Sequence, residues 1–453
     1  MQPDVPGFLA TAARSGLIAI LLAYSALGHC AEDAFAKWAA ADAVPITTVE
    51  SEGDDSDLLP LRSAIGAARV VALGEPTHGA HEPLAFRNRL FHFLVERMGF
   101  TAIALESGFT ESIGARSFIE DGAGDAGTAT RTGLSSGTNR YPENRELIQW
   151  MRDYNATASA AGHRKIRLYG IDLTAGARPS GPRLAIDSAL TFLARAEPTT
   201  AQKIRDSLGD SLPGTEPREF GPLPATAQAA FETSIEAIAK AMQGSRKSLI
   251  ARSSDEEYRW ALRNLDVAGQ LAKCFPVIPP PKSDMSVWPP AMACRDHGMA
   301  ENVQWALANE GRRGRLLVFA ATGHVMNWQE DGRRMAKVRE KPPMMGFHLH
   351  RAYGKDLYII AGISAISSGG LPAAKPLEED SVERALAEVG QPLMFLDVRM
   401  ARQNKEALTW LAARRSIGAN VSAQGLITPS TALDAFLFVN TLTPAIQSTD
   451  EAP

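Results

Sequence analysis

Two carboxylates and an imidazole stand out in this 453-residue chain. Glu75 and His78 lie in Gly74-Glu75-Pro76-Thr77-His78-Gly79, and Glu106 closes Thr101-Ala102-Ile103-Ala104-Leu105-Glu106. An imidazole titrates near neutral pH and takes a proton from water held within hydrogen-bond reach. A carboxylate beside it fixes the tautomer and raises the basicity. These residue types therefore suit general acid–base chemistry on a small molecule.

The elements around them explain how the three could meet. Val70-Val71-Ala72-Leu73 and Ala102-Ile103-Ala104-Leu105 are apolar without alternation, the pattern of strands buried on both faces of a parallel sheet. Between them, Phe86, Leu90, Phe93 and Leu94 recur at helical spacing and Gly99 closes the run. One strand–helix–strand unit thus carries Glu75, His78 and Glu106 past the carboxyl ends of two strands, where open α/β sheets place their sites. Further helices are expected over 143–155, 184–196, 224–242 and 255–271, and further strands over 166–172, 315–319, 357–360 and 393–396. The fold class is α/β, a mostly parallel central sheet flanked by helices, with a helical insertion or lid. The expected division is a signal peptide at 1–30, a lead-in at 31–60, and the first part of the core at 61–180. A helical insertion with a Pro-rich loop follows at 181–292, then the second part of the core at 293–440 and a disordered tail at 441–453.

Arg14 and the apolar run Leu17–Leu27 are too short for a bilayer span and fit a signal peptide, so export to the periplasm or medium is expected. Leu27-Gly28-His29-Cys30 resembles a lipoprotein box, so lipidation at Cys30 or an uncleaved anchor are the alternatives. No later run is long enough to cross a membrane. Net charge of −4 and a pI near 6.2 give no electrostatic footprint for nucleic acid or an anionic membrane. Cys274 and Cys294 flank a Pro-rich loop. A disulfide clamping it is the preferred reading, with two buried thiols as the alternative.

Several strings imitate known sites without their context. Gly122-Ala123-Gly124-Asp125-Ala126-Gly127 matches a dinucleotide fingerprint but follows no buried strand. Gly209-Asp210-Ser211-Leu212 imitates a serine-hydrolase signature but falls between helices. There is no G-x-S-x-G elbow and no H-E-x-x-H.

Gly74–Gly79, with Glu82, Arg87, Phe93, Gly99-Phe100 and Ala104-Leu105-Glu106, resembles the erythromycin esterase family. The resemblance continues through Trp150–Asn155, Tyr169-Gly170-Ile171-Asp172, Arg295-Asp296, Met299–Asn302, Trp305, Gly323-His324-Val325, Met345-Gly346 and Leu349. It covers roughly 61–419. It implies a hydrolase that cleaves an ester or lactone without a serine nucleophile, with His78 as the base that activates water. It places Glu75, Arg87, Glu106 and His324 in the same cleft, Arg87 or His324 holding the carbonyl or oxyanion. The chain departs from the family at Ala321-Thr322-Gly323-His324, where members commonly carry His-Asn-Ala-His. That change puts macrolide specificity in doubt more than hydrolysis.

Other residues receive plainer readings. Asp172 ends a strand and is a weaker candidate for the cleft. Arg295, Asp296 and Glu301 are read as bracing a helix, and His81 and His92 as surface residues. Two other functions fit the same set. Glu75, His78, Glu106 and His324 could ligate one divalent cation such as zinc or manganese, which would lower the pKa of a bound water. The chain could also be a non-catalytic binding protein on this scaffold.

Overall fold

The computed structural model describes residues 34–446 except 136, 159, 174–181, 210–211, 213–221, 281, 330–340, 373–375 and 419–423. The expected signal peptide and Cys30 lie outside the described residues, as do Asp210-Ser211.

An eight-stranded sheet organises the molecule, built from β1 (Val44–Pro45), β2 (Val70–Glu75), β3 (Ala102–Gly108), β4 (Arg167–Asp172), β5 (Leu316–Ala321), β6 (Leu357–Ser367), β7 (Leu393–Asp397) and β10 (Ala435–Leu442). Two short strands, β8 (Arg415–Ile417) and β9 (Gly425–Ile427), form a separate pair. The strand order is β1-β7-β10-β6-β2-β5-β3-β4. From β10 to β4 every neighbouring pair is parallel, while β7 runs antiparallel to both β10 and β1. The parallel strands therefore present their carboxyl ends along one edge.

The apolar runs follow from burial on both faces. Val71, Leu73, Ile103, Leu105, Leu317 and Phe319 pack against the helix His81–Met98 and the helix Pro142–Ala158. Their neighbours Val70, Ala72, Ala102, Ala104, Leu316 and Val318 belong to the core of the opposite face. Alternate residues of a strand point to opposite faces, so a strand covered on both sides must be apolar throughout. The helices Asp255–Cys274 and Pro289–Asn309 contribute to the opposite face. The helices Pro182–Leu193, Pro198–Leu208 and Ala225–Gly244 precede them without an intervening strand among the described residues. No described helix is long and apolar enough to cross a membrane.

Both ends of the described chain belong to the core. The helix over 34–42 places Phe35 against Trp410, ring centroids 3.8 Å apart. At the other end, the boundary expected at residue 440 is corrected. β10 runs to Leu442, and the next residues brace the turn that follows His78. His81 N–H donates to Thr443 O, Ala445 N–H donates to Gly79 O, and Thr443 Oγ1 bonds Glu82. Ala445 is 5% exposed, so the chain stays packed beyond the strand.

Candidate active site

Each element of the site ends on the same sheet edge. β2 ends at Glu75, paired in register with Ala321 at the end of β5. Asp172 ends β4. Glu106 lies where β3 shifts register against β4, between Leu105 and Gly108. That irregularity presses so closely on β4 that a Cβ on Gly170 would stand 2.2 Å from Gly108 O, and glycine is required there. Gly74 has a similar role. A Cβ on it would come within 2.6 Å of Thr322 Oγ1, so its absence lets the turn Thr322–Val325, which carries His324, settle against β2.

Two linked groups of side chains result. In the first, His78 Nδ1 lies 2.7 Å from Glu75 Oε1. The Glu75 carboxylate is almost fully buried, whereas 54% of the His78 side chain remains exposed. The attraction of Glu75 and its hydrogen bond, with help from Glu106, raise the His78 pKa from 6.5 to about 9 against the opposing effect of burial and Arg295.

Arg295, on the helix Pro289–Asn309, organises the second group. Its Nε donates to Asp172 Oδ1 at 2.9 Å, and Nη2 donates to Asp172 Oδ2 and, at 2.9 Å, to Glu106 Oε1. Its Nη1 lies 3.0 Å from His324 Nε2. Glu106 Oε2 accepts from Ala321 N–H at 2.8 Å. His324 Nδ1 lies 2.6 Å from Asp296 Oδ1, which also accepts from Met345 N–H. Because a guanidinium only donates, the Arg295 contact is a hydrogen bond when His324 Nε2 carries a lone pair and the ring proton sits on Nδ1; a protonated ring instead faces Glu106 Oε1, 3.4 Å from Nε2.

Electrostatics bind these groups together. Burial alone would raise the Glu106 pKa. His324, Arg295 and His78 outweigh it, with the Ala321 N–H adding to their effect, and hold the carboxyl well below the usual carboxylate range. Burial opposes charge on His324, but Asp296 and Glu106 raise its pKa on balance.

Glu75, His78, Glu106 and His324 all reach this edge. Arg87 does not hydrogen-bond to them in this arrangement. It is 1% exposed, donates to Asn144 Oδ1 and Asn88 Oδ1, and lies over the Phe319 ring. Burial pulls its pKa down to about 10 although Glu75, Glu143 and Glu146 oppose that fall. It is a buried cation behind the strand end.

The helix-brace readings of Arg295 and Asp296 have to be corrected. Arg295 ties three site residues together and Asp296 orients His324, while Glu301 does brace helices, accepting from Gln270 on the preceding one. The available signal was Arg295-Asp296 within the family resemblance, together with an unexplained acid ending β4. His81, read as a surface residue, is one-third exposed and bridges Glu143 and Glu50. His92, read the same way, is half-buried and stacks on Trp150 at 3.7 Å.

The ligand set for a cation is smaller than the sequence suggested. One atom each of Glu75, His78 and Glu106 lie within 4.8 Å of one another, and Glu75 Oε2 is buried without a hydrogen-bond partner. Those three could hold a divalent ion. His324 is committed to Asp296 and Arg295, and both Glu106 oxygens are engaged. Arg295 already places a positive charge at this position.

A cavity of about 380 Å³ opens beside Asp172, Arg295, Asp296 and His324. A wider groove of about 930 Å³ lies near the helix Pro182–Leu193 and contains none of these four residues. Cys274 lines the smaller cavity and forms a disulfide with Cys294, Cα atoms 5.7 Å apart. The preferred cysteine reading thus holds.

The mostly parallel α/β sheet thus carries a Glu–His pair and an Arg-centred carboxylate cluster on one edge. The erythromycin esterase profile matches residues 95–442, and the chain belongs to that family, a family of hydrolases. Erythromycin esterase type II of Escherichia coli is 34% identical over 140 residues, 31% of this chain and 32% of that enzyme. The aligned part is thus about a third of that relative's length. YbfO of Bacillus subtilis, a presumed hydrolase, is 22% identical over 88% of this chain and 90% of its own. Among solved structures, a Bacillus cereus protein superposes with a TM-score of 0.75 at 22% identity, covering 92% of this chain and 99% of that one. The erythromycin esterase EreC in its open conformation gives 0.62 at 18% identity, covering 90% and 99%. These likenesses establish the fold.

Proposed function

We propose that this protein hydrolyses a carboxylic ester or lactone by attack of a water that His78 deprotonates. The observation that carries the reading is the His78–Glu75 contact. Glu75 takes Nδ1, so Nε2 is the nitrogen left to act, and the exposed ring can meet a water and a substrate together. Water oxygen bonds to the carbonyl carbon as its proton passes to Nε2. The ester C–O bond then breaks, and the same proton goes to the leaving alkoxide. In this proposal Arg295, held by Asp172 and Glu106, stabilises the developing oxyanion. His324, aligned by Asp296, backs the guanidinium.

Export is part of this proposal. The N-terminal apolar run supports it, and the Cys274–Cys294 disulfide suits an oxidising compartment. Macrolides enter as candidate substrates through the family alone.

The test is mass spectrometry of the purified protein with a panel of macrolides and simple esters, beside a His78→Ala control. A ring-opened product one water heavier from a macrolide, or an acid and an alcohol from a simple ester, formed roughly 10²–10⁴-fold more slowly in the control, is expected. Undiminished turnover by that variant would remove His78 from the role of base. No hydrolysis of any ester would favour the non-catalytic binding role.

A further inference from the structure

The small cavity beside Arg295 has an unusual construction. Its catalytic end is polar, formed by Asp172, Arg295, Asp296 and His324. Its other walls are mostly apolar, Leu173, Leu271, Ile278, Trp288, Ala291 and Met292 with Cys274 of the disulfide among them, and Lys282 and Ser283 complete the lining. Ala291 and Met292 sit on the same helix as Arg295, about one turn before it, so the apolar wall and the guanidinium are a single rigid unit. Leu271 and Cys274 end the preceding helix, and the disulfide ties that end to Cys294, next to Arg295. Ile278 and Trp288 come from the loop between the two helices, whose ends the disulfide holds together.

We infer that this disulfide-framed cavity is a specificity pocket that seats one compact apolar arm of the ester, aryl or branched alkyl, next to the scissile carbonyl. The inference rests on the hydrolase reading and deepens it. Ligand pockets are mostly apolar with a few placed polar groups, and their volumes run from roughly 300 to 1,000 Å³. This one, at about 380 Å³, lies at the small end of that range. An arm the size of a phenylpropyl group fits it, whereas a glycosylated macrolactone does not. Asp172, Arg295, Asp296 and His324 gather at the end where the carbonyl would lie, while Lys282 and Ser283 come from the loop that also bears Ile278 and Trp288. The pocket therefore selects chiefly by arm size, with an apolar wall on the helix that carries Arg295.

The test compares two ester series, phenylalkyl acetates and ethyl phenylalkanoates, in the wild type and in Ala291→Trp, which fills the pocket from its helical wall. Ile278→Trp fills it from the loop and serves if the helix variant does not fold. In at least one series the wild type prefers the phenylpropyl arm over ethyl or acetyl. The ratio of kcat/KM for the large arm to that for the small arm should fall at least tenfold in either variant. An unchanged ratio in folded variants overturns the pocket. Binding is followed separately, by quenching of Trp288 fluorescence with N-(3-phenylpropyl)acetamide, which has no ester to cleave, and Trp288→Phe identifies the signal. Should the wild type cleave no ester, saturable quenching lost in Ala291→Trp would uphold the pocket while the hydrolase reading falls. No binding of that amide would overturn the pocket itself.

Discussion

Nδ1 of His78 and Oε1 of Glu75 lie 2.7 Å apart, three residues from one another across the turn that leaves β2. That contact sets the tautomer of the ring and also its charge, because Glu75 is the largest cause of a pKa raised to about 9. A general base works as neutral imidazole. kcat/KM, which reports the free enzyme, should therefore climb with pH and level off above about 9. Glu75→Gln removes the charge and should move the inflection towards the ordinary 6.5 while lowering the plateau, since the ring is held less firmly. A pH–rate profile of both proteins checks this, and an identical inflection in the two would contradict it.

Arg295→Lys keeps a positive charge and loses the fork. A single ammonium cannot bond Asp172, Glu106 and His324 together in the geometry that the planar guanidinium provides. kcat/KM should fall by roughly 10²-fold, the scale of losing one positioned oxyanion donor. Stability should drop by about 1.5–3 kcal/mol, the scale of losing a hydrogen bond to a charged group, because the ammonium keeps the charge and loses part of the contacts. Urea denaturation and steady-state kinetics on the same preparation measure both effects. Full activity in the lysine variant would deny the guanidinium its role.

Acid should unfold the protein partly through Glu106. Its folded-state pKa is depressed below the ordinary 4.5, so the unfolded chain binds its proton more readily. The resulting stabilisation is complete above the unfolded value and is lost as pH falls below it towards the folded value. Glu106→Gln should flatten the decline of stability below about pH 4.5 and lower stability at neutral pH. Denaturation midpoints between neutral and strongly acidic pH would reveal an unchanged slope if Glu106 were not involved.

The Cys274–Cys294 bridge closes a loop with a sequence separation of 20. Loops of that length stabilise by about 3 kcal/mol through the unfolded chain. Reduction, or the pair Cys274→Ser with Cys294→Ser, should lower the melting temperature and weaken discrimination between large and small ester arms. A melting curve indifferent to reductant would show that the bridge does not form in solution.

Hydrolysis should survive a chelator. Both Glu106 oxygens are occupied by Arg295 and Ala321 N–H, and the guanidinium competes with any cation for that carboxylate. Activity removed by a chelator and restored by zinc or manganese would instead make Glu75, His78 and Glu106 metal ligands.

Much of the architecture was legible because local pattern and burial agree. Val70–Leu73 and Ala102–Leu105 are apolar throughout because helices cover both faces of the sheet, and that signal needs no knowledge of their partners. Their ends could be assigned to one edge because a right-handed strand–helix–strand connection makes the strands parallel. The tail boundary was missed because Thr443 and Ala445 carry little hydrophobic signal. They hold their place by backbone hydrogen bonds to His81 and Gly79, which composition does not record.

Residue identity and spacing alone located Glu75, His78 and Glu106 at strand ends, since those positions follow from a few neighbouring residues. Arg295 could be understood only in three dimensions. It lies 189 residues after Glu106 and 123 after Asp172, on a helix whose sequence reads as ordinary. The arrangement of β4, β3 and β5 side by side brings an acid from each of two strands, and the turn bearing His324, to one guanidinium. Charge pairing between residues so far apart leaves no periodic trace in a chain, so its meaning appears only once the sheet order is known.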